Sequence, residues 1–236
     1  MTVRWGATKG PWVTCALIAS CCLVFLIGPV SGLNPVYGSG EQLLAAQTEY
    51  FRHWGVVPDE LFSGSPRAAL TPLTALFVHG NWLHLLGNML FLYVFGTMTE
   101  ERLGRAEFAL FYLAGGYLAL IAYAAAHADS PQTLVGASGS ISGVLGAFLC
   151  LFPKARVTTL LPFLLFLPLR LPAWIVLVFW FAVQWVAAHR QMDGPGVAYL
   201  AHLVGFSLGF LYAWGRFRHA ARVRAPATAT EGDSQP

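Results

Sequence analysis

Apolar residues in this chain fall in long runs separated by short polar breaks, and the run lengths predict helices that cross a bilayer. The first run extends from about Pro11 to Gly32 and is broken by Pro29. A basic start (Arg4, Lys9) before an apolar run also describes a cleavable signal peptide. No convincing small-x-small site follows, however, and the helix count works better if the run is retained. Residues 34–78 read as a long outer loop mixing Tyr50, Phe51, Trp54 and Phe62 with Arg52 and Arg67, a combination suited to the bilayer interface. A second span covers about Trp82 to Thr97 and ends in Glu100-Glu101-Arg102, and a third covers about Phe108 to Ala126. Asp129, Ser130, Pro131 and Gln132 lead to a fourth, Ser138 to Phe152, closed by Pro153-Lys154-Ala155-Arg156. Val157 to Ala188 is apolar but too long for one helix, and it carries Arg170 with Pro162, Pro168 and Pro172. Residues 157–171 are therefore read as an interfacial or re-entrant linker and Ala173 to Ala188 as the fifth span. Gln191 to Gly196 form a turn, and the sixth span runs from about Val197 to Arg216. The expectation is an all-α, six-helix bundle over residues 11–217, between a short segment 1–10 and a disordered tail 218–236.

Composition narrows the class. Charged residues are 11% and hydrophobic residues 56% of the chain, too little polar surface for a water-soluble fold, so the expectation is a polytopic integral membrane protein. A net charge of +3 gives no argument for nucleic acid as a partner. Cys15, Cys21, Cys22 and Cys150 lie inside apolar runs with no paired or metal-type spacing, so neither a disulfide framework nor a metal site is implied. Six spans put both termini on one side, and that side holds Arg4, Lys9, Arg102, Arg105, Lys154, Arg156, Arg170, Arg216, Arg218, Arg222 and Arg224, eleven of the 14 basic residues. The positive-inside rule makes that side cytoplasmic, and the Ala- and Gly-rich composition suggests a bacterial inner membrane.

Spans two, four and six then enter from outside, and each carries polar residues near its outer end: His84 and Asn88, Ser138, and His202. Span four has about 15 residues, roughly 22 Å of helix against ~30 Å of hydrocarbon, so Ser138 is expected roughly 8 Å below the outer surface. His202 follows Pro195 by seven residues, about 10 Å of helix, and reaches a similar level. The loop 128–137 must dip into the membrane, which backbone does only where protein or water satisfies it, so a water-filled cavity open to the outside is expected. His84 and Asn88 are four apart and share a helix face toward it. Gly139 and Gly143 beside the serine, and Gly205 and Gly209 after the histidine, give two smooth helix faces that can approach closely.

A serine hydroxyl needs a base to become a nucleophile, and His202 is the candidate for Ser138. The nearest acids, Asp129 and Asp193, lie in outer loops, so a Ser-His dyad is expected rather than a triad. The backbone N–H of Ser138 at a helix start, with Asn88 and His84, supplies candidate oxyanion donors.

Three separated motifs carry a resemblance: His79-Gly80-Asn81-Trp82-Leu83-His84-Leu85-Leu86-Gly87-Asn88, Gly136-Ala137-Ser138-Gly139, and Ala201-His202-Leu203-Val204-Gly205. From about Leu70 to Gly209 the chain resembles the rhomboid intramembrane serine proteases. The resemblance implies cleavage of single-span membrane proteins that approach sideways near spans two and five, with no metal or cofactor. It also implies Ser138 as nucleophile, His202 as general base, Asn88, His84 and the Ser138 amide as oxyanion donors, and His79 in support. Two positions depart from some relatives: Arg67-Ala68-Ala69-Leu70 stands where a first-loop Trp-Arg pair occurs, and Ser142 where an aromatic residue stacks on the histidine. Two other classes compete: an inactive rhomboid-like protein that binds membrane clients, and a small transporter using the histidines.

Overall fold

The computed structural model describes residues 10–161, 167–190 and 198–223. Arg4 and Lys9, the Gln191–Gly196 turn and the tail from Arg224 onward lie outside the described residues. The chain is mostly helical. Helix α1 (Trp12–Ile27) is followed by α2 (Glu41–Trp54), α3 (Pro58–Leu61), α4 (Pro66–Thr74), α5 (Trp82–Phe91), α6 (Thr97–Leu103) and α7 (Arg105–Ala126). Helix α8 (Ser138–Leu151) leads through strands β1 (Arg156–Leu161) and β2 (Leu167–Pro172) to α9 (Ala173–His189) and α10 (Tyr199–Val223). Among the described residues, α7 is the one helix both long and apolar enough by itself to cross a membrane, while α1, α8 and α9 are shorter apolar helices.

Several elements differ from the sequence reading. The outer segment 34–78 is not an irregular loop: it folds α2, α3 and α4, the last two starting with proline at the first helical position, where a missing N–H costs nothing. The second apolar helix does not stop near Thr97. It continues through one π-helical stretch, Leu92–Gly96, into α6 and ends at Gly104, whose φ of 88° suits glycine.

The linker expected at 157–171 takes the form of an antiparallel ribbon pairing Arg156 with Pro172 through Leu161 with Leu167, the one sheet among the described residues of an otherwise mostly helical chain where an all-α bundle was expected. β-Branched Val157, Thr158 and Thr159 favour extended backbone, and Pro168 and Pro172 exclude a helix while costing a two-stranded ribbon little. Helix α10 is described as far as Val223, past the expected boundary at 217.

Helix α8 is the centre of the molecule. Every residue from Gly139 to Phe148 is buried, as an all-round apolar helix requires. Phe95, Phe108, Tyr112, Leu177 and Phe206 surround Ile141, Val144, Leu145 and Phe148. Against α10 the two backbones touch: a Cβ at Gly205 would run into the carbonyl oxygen of Gly139, and one at Gly209 into that of Gly143. Helix α1 is fixed at its start by Glu100, which is 2% exposed; its carboxyl accepts Val13 N (3.0 Å), Thr14 N (2.7 Å) and Thr14 Oγ1 (2.7 Å). This is an N-terminal cap supplied by another helix, at the end where an anion is favoured. Farther along α1, Cys21 and Phe25 are buried beside Leu85 and Met89 of α5, so the first apolar run is built into the bundle.

Candidate active site

The site begins where the chain turns into α8. Leu134 and Val56 exchange backbone hydrogen bonds (2.9 and 2.7 Å), Asp59 N donates to Ser130 O (3.2 Å), and Gly136 N donates to Ala75 O (2.9 Å). Segment 34–78 thus satisfies the backbone of the chain entering α8, where Leu134, Gly136 and Ala137 are buried. The same segment is tied down at its other end: Thr74 Oγ1 donates to Trp54 O (2.7 Å), Arg67 to His53 O (3.2 Å), and Tyr117 OH to Ala69 O (3.1 Å). Gly136 then takes φ of 126°, a conformation open to glycine, and delivers Ser138 as the first residue of α8. The N–H groups of a first helical turn have no carbonyl of their own helix to bond. Ser138 therefore presents a hydroxyl beside backbone donors.

His202 lies in the first turn of α10, and its Nε2 is 2.8 Å from Ser138 Oγ. Its Nδ1 is 2.8 Å from Oε1 of Gln184 on α9. With the amide oxygen accepting from Nδ1–H, the Nε2 lone pair faces the serine hydroxyl, the tautomer a base needs. Trp180 of α9 leans over the imidazole (6.1 Å between centroids, 34°), and Tyr199 meets it edge-on (6.3 Å). Ser142, one turn after Ser138, instead donates to the Ser138 carbonyl at 2.7 Å.

Helix α5 completes the constellation. Asn81 caps it, its Oδ1 accepting His84 N at 2.8 Å, the role for which asparagine is favoured. His84 Nδ1 accepts Gly80 N (3.3 Å), which leaves the proton on Nε2. That nitrogen faces Gly136 so closely that a Cβ there would lie 2.8 Å from it, and 3.7 Å from Asn88 Nδ2. Asn88 Nδ2 is buried and has no hydrogen-bond partner among the described residues. His84 and Asn88 thus border the Gly136–Ser138 corner with donors to spare. His79 is different: it is 1% exposed, shares Nδ1 with Phe77 O (3.3 Å) and meets the His84 ring edge-on (5.2 Å), so it stands behind His84.

A cavity of about 610 Å³ opens above these groups, lined by Phe51, His84, Asn88, Thr133, Ser138 and His202. A second, of about 300 Å³, shares His84, Asn88, Ser138 and His202 and reaches Phe91, Leu145 and Trp180. Both cavities reach Ser138, and each sets these polar groups among apolar side chains, the combination typical of small-molecule and peptide sites. Gln184 was missed by sequence reasoning, although a lone amide in the apolar run Ala173–Ala188 was a visible signal.

The Rhomboid domain pattern matches residues 67–219, well over half of the chain. The chain belongs to the rhomboid family. This rhomboid is 36% identical over 143 residues to Rhomboid protein 1, mitochondrial, of Saccharomyces cerevisiae, covering 58% of the chain and 39% of that protein. It is 28% identical over 167 residues to RHOMBOID-like protein 6, mitochondrial, of Arabidopsis thaliana (66% and 49% covered). With Rhomboid protease GluP of Bacillus subtilis it shares 32% over 145 residues (59% and 24% covered). The chain thus spans between about a quarter and a half of the length of these relatives. Membership makes it a membrane protein. Mitochondrial relatives stand beside a bacterial one, so the expectation of a bacterial inner membrane gains no support from them.

Proposed function

We propose that this rhomboid is an intramembrane serine endopeptidase that cleaves transmembrane segments of single-span membrane proteins. The observation that carries the reading is the 2.8 Å contact between Ser138 Oγ and His202 Nε2 at the floor of an open cavity that also holds spare donors. His202 Nε2 takes the hydroxyl proton as Ser138 Oγ adds to the scissile carbonyl carbon. The oxyanion that forms is met by the Ser138 N–H, Asn88 Nδ2 and His84 Nε2–H. His202 then returns the proton to the leaving amine, and a water activated by the same nitrogen hydrolyses the acyl-serine. No metal or cofactor takes part in this scheme.

The topology belongs to the same proposal. Helices α1, α5 with α6, α7, α8, α9 and α10 are six crossings, both termini lie on the basic, cytoplasmic side, and the cavity faces the opposite side. The shortness of α8 favours this arrangement, because it sets the serine below the surface with water above it. The apolar side chains that predominate on the walls of both cavities favour a hydrophobic peptide as substrate.

The test is reconstitution into vesicles with a tagged single-span substrate. Cleavage is expected with wild type and is expected to vanish in Ser138→Ala and His202→Ala, with thermal unfolding of both variants unchanged. Binding of the substrate without cleavage by folded wild type would instead identify an inactive client-binding rhomboid.

A further inference from the structure

His202 makes two hydrogen bonds, and the proposed reaction uses only one of them. The other, from Nδ1 to Gln184 Oε1 at 2.8 Å, comes from a helix that carries no other part of the proposed chemistry. We propose that Gln184 is a positioning residue that fixes the tautomer and ring plane of His202, giving the Ser138–His202 pair a neutral amide as its third member. This role rests on the hydrolase reading above.

A neutral imidazole carries one N–H and one lone pair, and only the Nδ1–H form leaves Nε2 able to take a proton from Ser138. An amide oxygen can only accept, so its place opposite Nδ1 selects that form. Its own position is set by packing. Trp180 is one helical turn before Gln184 on the same face of α9 and stacks on Phe206 (5.9 Å, 29°), while Phe181 also meets Phe206 (5.0 Å). These contacts dock α9 on α10, and the amide arrives at His202 as a consequence. Ser142 does not take this place: its hydroxyl donates to the Ser138 carbonyl, and the partner of Nδ1 is Gln184. A carboxylate in Gln184's position would orient the ring as well, but would place a charge on a helix facing lipid. The amide orients without that cost.

The alternative is that Gln184 is interhelical glue, and the experiment separates the two. Gln184→Leu keeps the bulk and removes the acceptor, whereas Gln184→Glu keeps the acceptor. Both are compared with wild type for kcat and KM on the reconstituted substrate, and for the 15N chemical shifts of the His202 ring, assigned with His202→Gln. The expected result for Gln184→Leu is a kcat about 10- to 100-fold lower with KM within about twofold, and a loss of the Nδ1–H signature. Gln184→Glu is expected to restore that signature and kcat to within about threefold of wild type. Wild-type kcat in Gln184→Leu, or equal losses in both variants with unchanged ring shifts, would overturn the positioning role while leaving the hydrolase reading intact. Absence of turnover in wild type itself would overturn that reading and this role with it.

Discussion

The close approach of α8 and α10 makes a sharp prediction from two substitutions at one helix contact. Gly205→Ala puts a methyl group against the carbonyl oxygen of Gly139, backbone against backbone, with no flexible side chain to yield. Relief requires the helices to part by roughly 1 Å, because packed interiors do not deform continuously. Overpacking of this kind costs about 1–3 kcal/mol, offset in part by the ~1 kcal/mol that alanine gains over glycine inside a helix. The functional loss is larger. Ser138 adjoins Gly139 and His202 lies one turn before Gly205, so the parting falls on the 2.8 Å contact between them. At roughly 3.8 Å that contact is no longer a hydrogen bond, and a displacement of about 1 Å costs on the order of 100-fold in rate. Gly139→Ala is the control from the opposite helix: its Cβ would meet the Ala119 methyl at 3.2 Å and the Ala201 carbonyl at 3.9 Å, contacts relieved by a few tenths of an ångström. Cleavage of a single-span substrate and thermal unfolding in detergent, measured on both variants, decide the matter. Wild-type activity in Gly205→Ala, or equal damage in the two, would refute the claim that glycine contacts set the serine-to-histidine distance.

Other consequences follow from particular groups. Asn88→Ala is expected to lower kcat by about 100- to 1,000-fold with little change in KM, as loss of an oxyanion donor does, measured by steady-state cleavage. Gly136→Ala should be inactive or nearly so while remaining folded, because the new methyl is strained at φ of 126° and meets the His84 ring at 2.8 Å; cleavage and circular dichroism measured together check this. Glu100→Ala strips three acceptor contacts from the start of α1 and is expected to cost about 1–3 kcal/mol in thermal or denaturant unfolding. Arg52→Ala breaks the exposed pair with Glu60 and is expected to leave the unfolding transition unchanged in the same measurement, since solvent screens such a pair.

The helical elements were legible because their signals are local. Polar breaks and prolines bracket the apolar runs, and the helix expected over Ser138 to Phe152 runs from Ser138 to Leu151. What escaped was decided by tertiary context. Residues 156–172 carry both an apolar run and helix-breaking prolines, a conflict that composition cannot resolve and strand pairing does. The outer segment is too polar for a membrane span, yet α2 to α4 form because Val56 and Ala75 hold the chain entering α8. At the site, the residues singled out from sequence were those with obvious chemistry: Ser138, His202, His84, Asn88 and His79. The structure gathers the first four around one cavity and sets His79 behind them. Gln184 lacks such obvious chemistry, being neutral and alone in an apolar run, and it becomes the polar partner of His202 only through the docking of α9.

The central claim is that Ser138 is an activated nucleophile, and reaction with a fluorophosphonate probe tests it most directly. Detergent-purified wild type is expected to be labelled on the peptide containing Ser138, as read by mass spectrometry, with labelling lost in both Ser138→Ala and His202→Ala. Labelling that persists in Ser138→Ala, or folded wild type that neither takes the probe nor cleaves a reconstituted transmembrane substrate, would contradict it.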